Sequence, residues 1–295
     1  MSAAPRPQPA FVSSKSRFDW RRFGSSLITF ESILMFVFLY VPILILIVYS
    51  FNSSRFSSVW DQFTFGWYDS LFQGENSAFT PTGRGFDPAE LLDSVKVSLI
   101  VAAASTVIST VLGTTLAMAM ERFRFRFRSA IDIMLYLPVV IPEITMGLSL
   151  VVFYQIIADL VSQNSILGLI TVIVGHVSFS ISFVAIVVRA RLAGMDRTLE
   201  EAAQDSGANE WQTFRRVVLP LIMPGILGGA LLAFTLSLDD FVITFYTSGI
   251  GTSTMPLYVY GMIRRGISPA INALSTLMLG ASIVILLISL RLQRR

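Results

Sequence analysis

Three carboxylates stand where the sequence is otherwise almost wholly apolar. Glu143 closes the run Leu137-Pro-Val-Val-Ile-Pro142, and Asp239 and Asp240 sit inside Leu236-Ser-Leu-Asp-Asp-Phe-Val-Ile-Thr244. An ionisable group at membrane depth costs at least about 2.5–3.5 kcal/mol, so it needs a partner, a cavity or a task. Carboxylates staggered along a path offer weak sites to a small cation, and Phe241 and Tyr246 add cation–π faces beside them. Adjacent carboxylates on one helix point about 100° apart, so one of the aspartates lines a path while the other pairs or caps. The competing use for each is a hydrogen-bonded carboxylate that fixes helix packing. The rest of the inventory is spare. The chain has no cysteine and one histidine, His176, in Val174-Gly-His-Val-Ser178. Thiolate chemistry and His-based metal sites are therefore excluded, no cofactor is expected, and the lone histidine reads as a packing residue hydrogen-bonded to a neighbouring helix. An aspartyl protease needs two facing carboxyls from different helices, which Asp239 and Asp240 alone do not offer.

The elements that must hold these groups are transmembrane helices. The 295 residues are 54% hydrophobic and 14% charged, with mean hydropathy +0.69; soluble domains carry about 25% charged residues. A spanning helix needs about 20 mostly apolar residues. Six stretches qualify: 31–51, 95–120, 131–158, 166–188, 225–247 and 273–290. They are too long and too uniformly apolar to be barrel strands. The third holds Pro138 and Pro142, and a break there is expected, with Glu143 beside it. Seventeen of the 22 Lys and Arg fall in the N-terminal tail, the segments after the second and fourth stretches, and the C-terminus. That asymmetry puts both termini in the cytoplasm. It also explains a pI near 9.4 without nucleic acid, because the basic residues sit between apolar runs. The expected product is an all-α, multi-pass protein of the bacterial inner membrane. It has a tail 1–29, one membrane domain 30–290 and a short terminus 291–295.

The segment between the fourth and fifth stretches is the most informative. It runs Thr198-Leu-Glu-Glu-Ala-Ala-Gln-Asp-Ser-Gly-Ala-Asn-Glu-Trp-Gln-Thr-Phe-Arg-Arg-Val-Val-Leu-Pro220. Thr198 with Glu201 fits a helix-opening capping box. Gly207 suits the left-handed position that closes a helix. Asn209 caps a second helix, expected to run through Trp211 and Phe214 until Pro220 stops it. Ala202 and Ala203 leave a partner surface free to approach the backbone. No Gly-x-x-x-x-Gly-Lys-[Ser/Thr] loop occurs anywhere, so the chain does not carry a Walker-type ATPase site.

Glu201, Ala202, Ala203, Gly207, Val217, Leu219 and Pro220 match, in type and spacing, the EAA loop of ABC importer permeases, with Val217 where Ile is common. The chain resembles that family across about residues 30–290. The resemblance implies that the loop, about 196–222, carries the coupling helix that docks on an ABC ATPase dimer. It also implies a second, related permease subunit and a substrate-binding protein on the outer side, with lipid around the helices. Leu137–Glu143, Ser237–Gly249, Thr254-Met-Pro-Leu257 and Gly266–Thr276 resemble the second permease of spermidine/putrescine importers, so a polyamine is the expected cargo. Permeases for other amines, amino-acid derivatives or opines share much of this pattern. Pro269-Ala270 stands where the group commonly has Pro-Glu. An ion-coupled secondary transporter would show inverted repeats and has no need of the Glu201 loop.

Overall fold

The computed structural model describes residues 20–54, 59–73, 88–196, 198–265, 270–280 and 283. Helices dominate them. They are α1 (Trp20–Tyr49), α2 (Gly66–Gln73), α3 (Pro88–Arg122), α4 (Arg128–Val140), α5 (Glu143–Leu160) and α6 (Leu169–Ala193). After these come α7 (Thr198–Asp205), α8 (Glu210–Thr213), a π turn (Phe214–Val218), α9 (Leu219–Asp239), α10 (Val242–Thr247) and α11 (Met255–Arg265). A last described helix, α12, runs Ala270–Gly280. Among the described residues, pairing of β type is limited to one bridge between Asn52 and Phe63.

Among the described residues, five helices are long and apolar enough to cross a membrane: 27–49, 89–122, 143–160, 169–193 and 210–239. Half of the sixth expected stretch, 273–290, lies outside the described residues, as do most of the tail 1–29, the terminus 291–295, and Gly266 to Pro269. The apolar window of α1 buries none of itself against the rest of the chain, and Phe30 and Phe38 are 64% and 82% exposed. Only an apolar surrounding can cover such a face.

The centre is a packed trio of α3, α6 and α9, with α4 laid against α6. Ala117 and Met120 of α3 meet Leu135 of α4, Val184, Ala185 and Val188 of α6, and Ile222 and Ala233 of α9. Small residues let these backbones approach closely. Arg189 of α6 donates to Glu121 of α3 at 2.7 Å and also bonds Asp132 of α4. A second cluster gathers Trp67, Leu71, Leu91, Tyr258, Met262, Ala270 and Ile271 from α2, α3, α11 and α12. Within the long segment after α1, Asn52 organises the fold. Its side chain accepts from the amides of Ser54 and Asp61, and its carbonyl accepts from the Trp67 indole at 2.8 Å.

Three expected features differ. The stretch 131–158 is broken beside Glu143, as expected, but at Ile141–Pro142 alone and not also at Pro138. Pro138 rides within the last turn of α4, while Ile141 is extended (φ −71°, ψ 134°), as a residue before proline prefers. The stretch 225–247 is also two helices, because Asp240 leaves helical geometry (φ −64°, ψ 126°). Asp239 and Asp240 therefore do not share one continuous helix. Finally, Pro220 does not stop the chain, which stays helical from Glu210 to Asp239. A proline ring clashes with the carbonyl four residues back. The π turn just before it widens the helix there, with the Leu219 amide reaching Phe214 O.

Candidate functional site

Two groups of residues carry the functional expectations, and they lie at opposite ends of α9. At the first end, α7 is an exposed eight-residue helix bearing Glu201, Ala202 and Ala203. Its opening is not the Thr198–Glu201 box. The Thr198 amide donates instead to Asp196 Oδ1 at 3.0 Å, which holds the Asp196 carboxyl below its ordinary pKa. Its close follows expectation. Gly207 is left-handed (φ +89°), and the Ala208 amide reaches back to Ala203 O at 3.1 Å. Asn209 caps α8 as expected, accepting from the Gln212 amide at 2.8 Å while its own amide donates to Gln212 Oε1 at 3.1 Å. Leu219 and Pro220 follow on the unbroken α8–π–α9 rod. Glu200, which sequence reasoning passed over, accepts from Arg122 at 2.7 Å and so ties α7 to the end of α3. Between them lies a cavity of about 360 Å³ lined by Arg122, Phe123, Glu200, Glu201 and Glu210. This end has an exposed rim, small side chains on the helix backbone and one ionic strut into the core.

At the other end, two helix interruptions meet, since α10 packs along α5. Gly147 of α5 is what allows it. A methyl group at that position would stand 2.6 Å from Cδ2 of Tyr246. Glu143 opens α5 at one interruption, and Asp239 and Asp240 stand at the other. Their surroundings differ. Glu143 and Asp239 are exposed, and among the described residues neither carboxylate has a hydrogen-bonding or ion-pair partner. Asp240 is 8% exposed and saturated. It accepts from the amides of Ile243 (3.3 Å) and Thr244 (2.9 Å) and from the Thr244 hydroxyl (3.1 Å), and His176 Nε2 stands 3.2 Å from it. Asp240 is thus the cap of α10. Phe241 and Tyr246 are half-buried, with Phe241 against Tyr260 at 4.5 Å between ring centroids.

His176 is fully buried on α6, where it bonds its neighbours as its isolation led one to expect. Its Nδ1 meets Ser237 Oγ at 2.6 Å and its Nε2 meets Thr244 Oγ1 at 2.9 Å. Ser237 in turn meets Ser105 Oγ of α3 at 3.1 Å. Ser105, Ser237 and Thr244 were not anticipated. The one available signal was hydroxyls at three before and four after Asp240, a helical spacing that turns them toward its side.

Residues 109–295 match the model of the binding-protein-dependent transport system inner membrane component family. The chain belongs to that family. It is a multi-pass protein of the inner membrane, and permeases of this family are not catalysts. The putrescine transport system permease protein PotI of Escherichia coli K12 is 39% identical over 250 residues, 84% of each chain. The spermidine/putrescine transport system permease protein PotC of the same strain is 36% identical over 255 residues, 86% of this chain and 89% of the relative. Among solved structures, a chain of a bacterial ABC transporter that imports the acidic polysaccharide alginate superposes with a TM-score of 0.71. It covers 93% of this chain and 96% of that one at 19% identity, a likeness of fold.

Proposed function

We propose that this chain is a permease subunit of an ATP-driven importer and that it carries a small polycationic amine such as putrescine or spermidine. In this reading six helices span the membrane, with both termini and the loop 196–222 in the cytoplasm. An ABC ATPase dimer docks on Glu201, Ala202, Ala203 and Gly207, and Leu219 and Pro220 join the loop to the moving bundle. A second, related permease completes the path, and a binding protein on the outer side delivers the cargo.

One observation carries the cargo assignment. Glu143 and Asp239 are exposed carboxylates without a partner among the described residues, at the meeting of α5 and α10, beside Phe241 and Tyr246. Unpaired charge there is costly unless a cationic ligand or water meets it. A polyamine brings separated ammonium groups that suit separated carboxylates, and the aromatic faces can hold an ammonium between them. Asp240 adds its charge and sets the shape of the segment. The names of the relatives support the same cargo class.

The test is uptake of labelled putrescine and spermidine by cells that depend on this chain. Asp239→Asn and Glu143→Gln are each expected to lower uptake by about tenfold, the loss of one charged contact. Unchanged uptake in both removes them from the path. Purification of the chain should bring an ATPase with it, and Gly207→Val, which forces a β-branched residue to φ +89°, should release that partner. Retention of a normal ATPase complex and normal uptake in that variant sinks the docking assignment.

A further inference from the structure

We propose that His176 is a positioning residue of the transport path, acting through Asp240 to fix the interruption between α9 and α10 and so to set where Asp239 and Phe241 stand. The proposal deepens the path reading above and rests on it.

Four elements converge on the imidazole. Ser105 comes from α3, His176 from α6, Ser237 from the last turn of α9, and Asp240 with Thr244 from the break and from α10. The bond pattern assigns the proton. The Thr244 hydroxyl already donates to Asp240 Oδ2, so Nε2, which meets Thr244 Oγ1 and stands 3.2 Å from the carboxylate, carries the hydrogen. Nδ1 then faces the Ser237 hydroxyl at 2.6 Å, and Ser237 Oγ meets Ser105 Oγ at 3.1 Å. Ser105, Ser237, His176, Thr244 and Asp240 thus form one continuous network in which each member has a partner.

The ring is placed to do more than fill space. An interrupted helix exposes amides and carbonyls that lipid cannot satisfy. Asp240 meets the amides of Ile243 and Thr244, but a buried carboxylate with two backbone donors still has free directions. The Thr244 hydroxyl supplies a third, and His176 of α6 holds that hydroxyl and stands 3.2 Å from the carboxylate. Ser237 and Thr244 lie on either side of the break, seven residues apart, and the one ring bonds both. That fixes the angle across Asp240 and Phe241. The neighbouring side chains, Asp239 and Phe241, have no such tie to α6 among the described residues, so their placement is inherited from it.

The experiment uses the assembled transporter, with His176→Ala, His176→Gln, Asp240→Asn and the double variant His176→Ala/Asp240→Asn. Glutamine can present an amide N–H where Nε2 stood. His176→Ala is expected to lower maximal uptake of putrescine by about tenfold, with the half-saturating concentration changed less than twofold. His176→Gln recovers a substantial part, and the double variant is no worse than Asp240→Asn alone. Amide hydrogen exchange over residues 242–247 speeds about tenfold in His176→Ala and is restored in His176→Gln. The proposal is overturned if His176→Ala transports normally, if glutamine rescues neither readout, or if the losses multiply in the double variant. Exchange does not depend on cargo. If Asp239→Asn transports normally while exchange still couples His176 to Asp240, the path reading fails and the pairing stands. If Asp239→Asn loses transport while exchange is unmoved in His176→Ala, the pairing fails and the path stands.

Discussion

The two interruptions that meet at α5 and α10 are built by different means. At Ile141–Pro142 the backbone breaks because a proline cannot donate and restricts its predecessor, and the break leaves Glu143 in the first turn of α5, exposed. At Asp240–Phe241 there is no proline. A buried side chain competes for the amides of the next helix, and the network of His176, Ser237 and Thr244 holds it in place. The first break is covalent and needs no support, so it leaves its carboxylate available. The second is made of hydrogen bonds, so its carboxylate is consumed and the adjacent one, Asp239, is left available. Each interruption thus yields one acid without a partner among the described residues.

The sharpest way to break this comparison is to remove each acid in turn. Asp240→Ala takes away a buried cap and the carboxylate beside His176, and should cost about 3 kcal/mol. Glu143→Ala removes an exposed charge, and should leave stability unchanged or slightly raised. Thermal unfolding of the purified protein in lipid discs separates them, and equal losses would mean that both breaks depend on their carboxylates. Next in size is Gly147→Ala. The added methyl meets the Tyr246 ring at 2.6 Å, and overpacking of this kind costs about 1–3 kcal/mol. The same unfolding measurement should place it below Asp240→Ala, and Gly147→Ala combined with Tyr246→Ala should recover most of the loss.

The loop 196–222 was largely legible because its signals are local. Gly207 must be left-handed whatever surrounds it, and Asn209 caps a helix with its own Gln212. The membrane helices were legible from length and apolarity, and the break near Glu143 from a proline. What stayed hidden is what depends on neighbours far away in sequence. Nothing around Asp240 announces a helix end, since Leu, Phe, Val and Ile flank it as they would in any span. The competitor that wins is tertiary, a histidine 64 positions earlier. Pro220 misled for the opposite reason. The rule that proline ends a helix is local and sound, but the π turn before it absorbs the clash.

Pro142→Ala sharpens the comparison from the covalent side. It restores an amide and frees Ile141 to be helical, so α4 and α5 should tend to join, with a stability gain of about 1 kcal/mol or less. Joining them rotates Glu143 away from α10, so putrescine uptake should fall severalfold although the protein is no weaker. A variant that transports normally would show that the break is packing and not path. The smallest effect belongs to Pro220→Ala. A proline inside a helix ordinarily costs about 3 kcal/mol relative to alanine, so replacing one ought to stabilise strongly. Here the π turn has already moved the carbonyl that the ring would strike, and the alanine amide gains little because its usual acceptor, Arg216 O, lies in that widened turn. The expected change is under about 0.5 kcal/mol. A gain near 3 kcal/mol in the unfolding measurement would mean that the π turn is strained by the proline and relaxes without it. The rod from Glu210 to Asp239 would then be a spring between the loop and the path rather than a stiff connection.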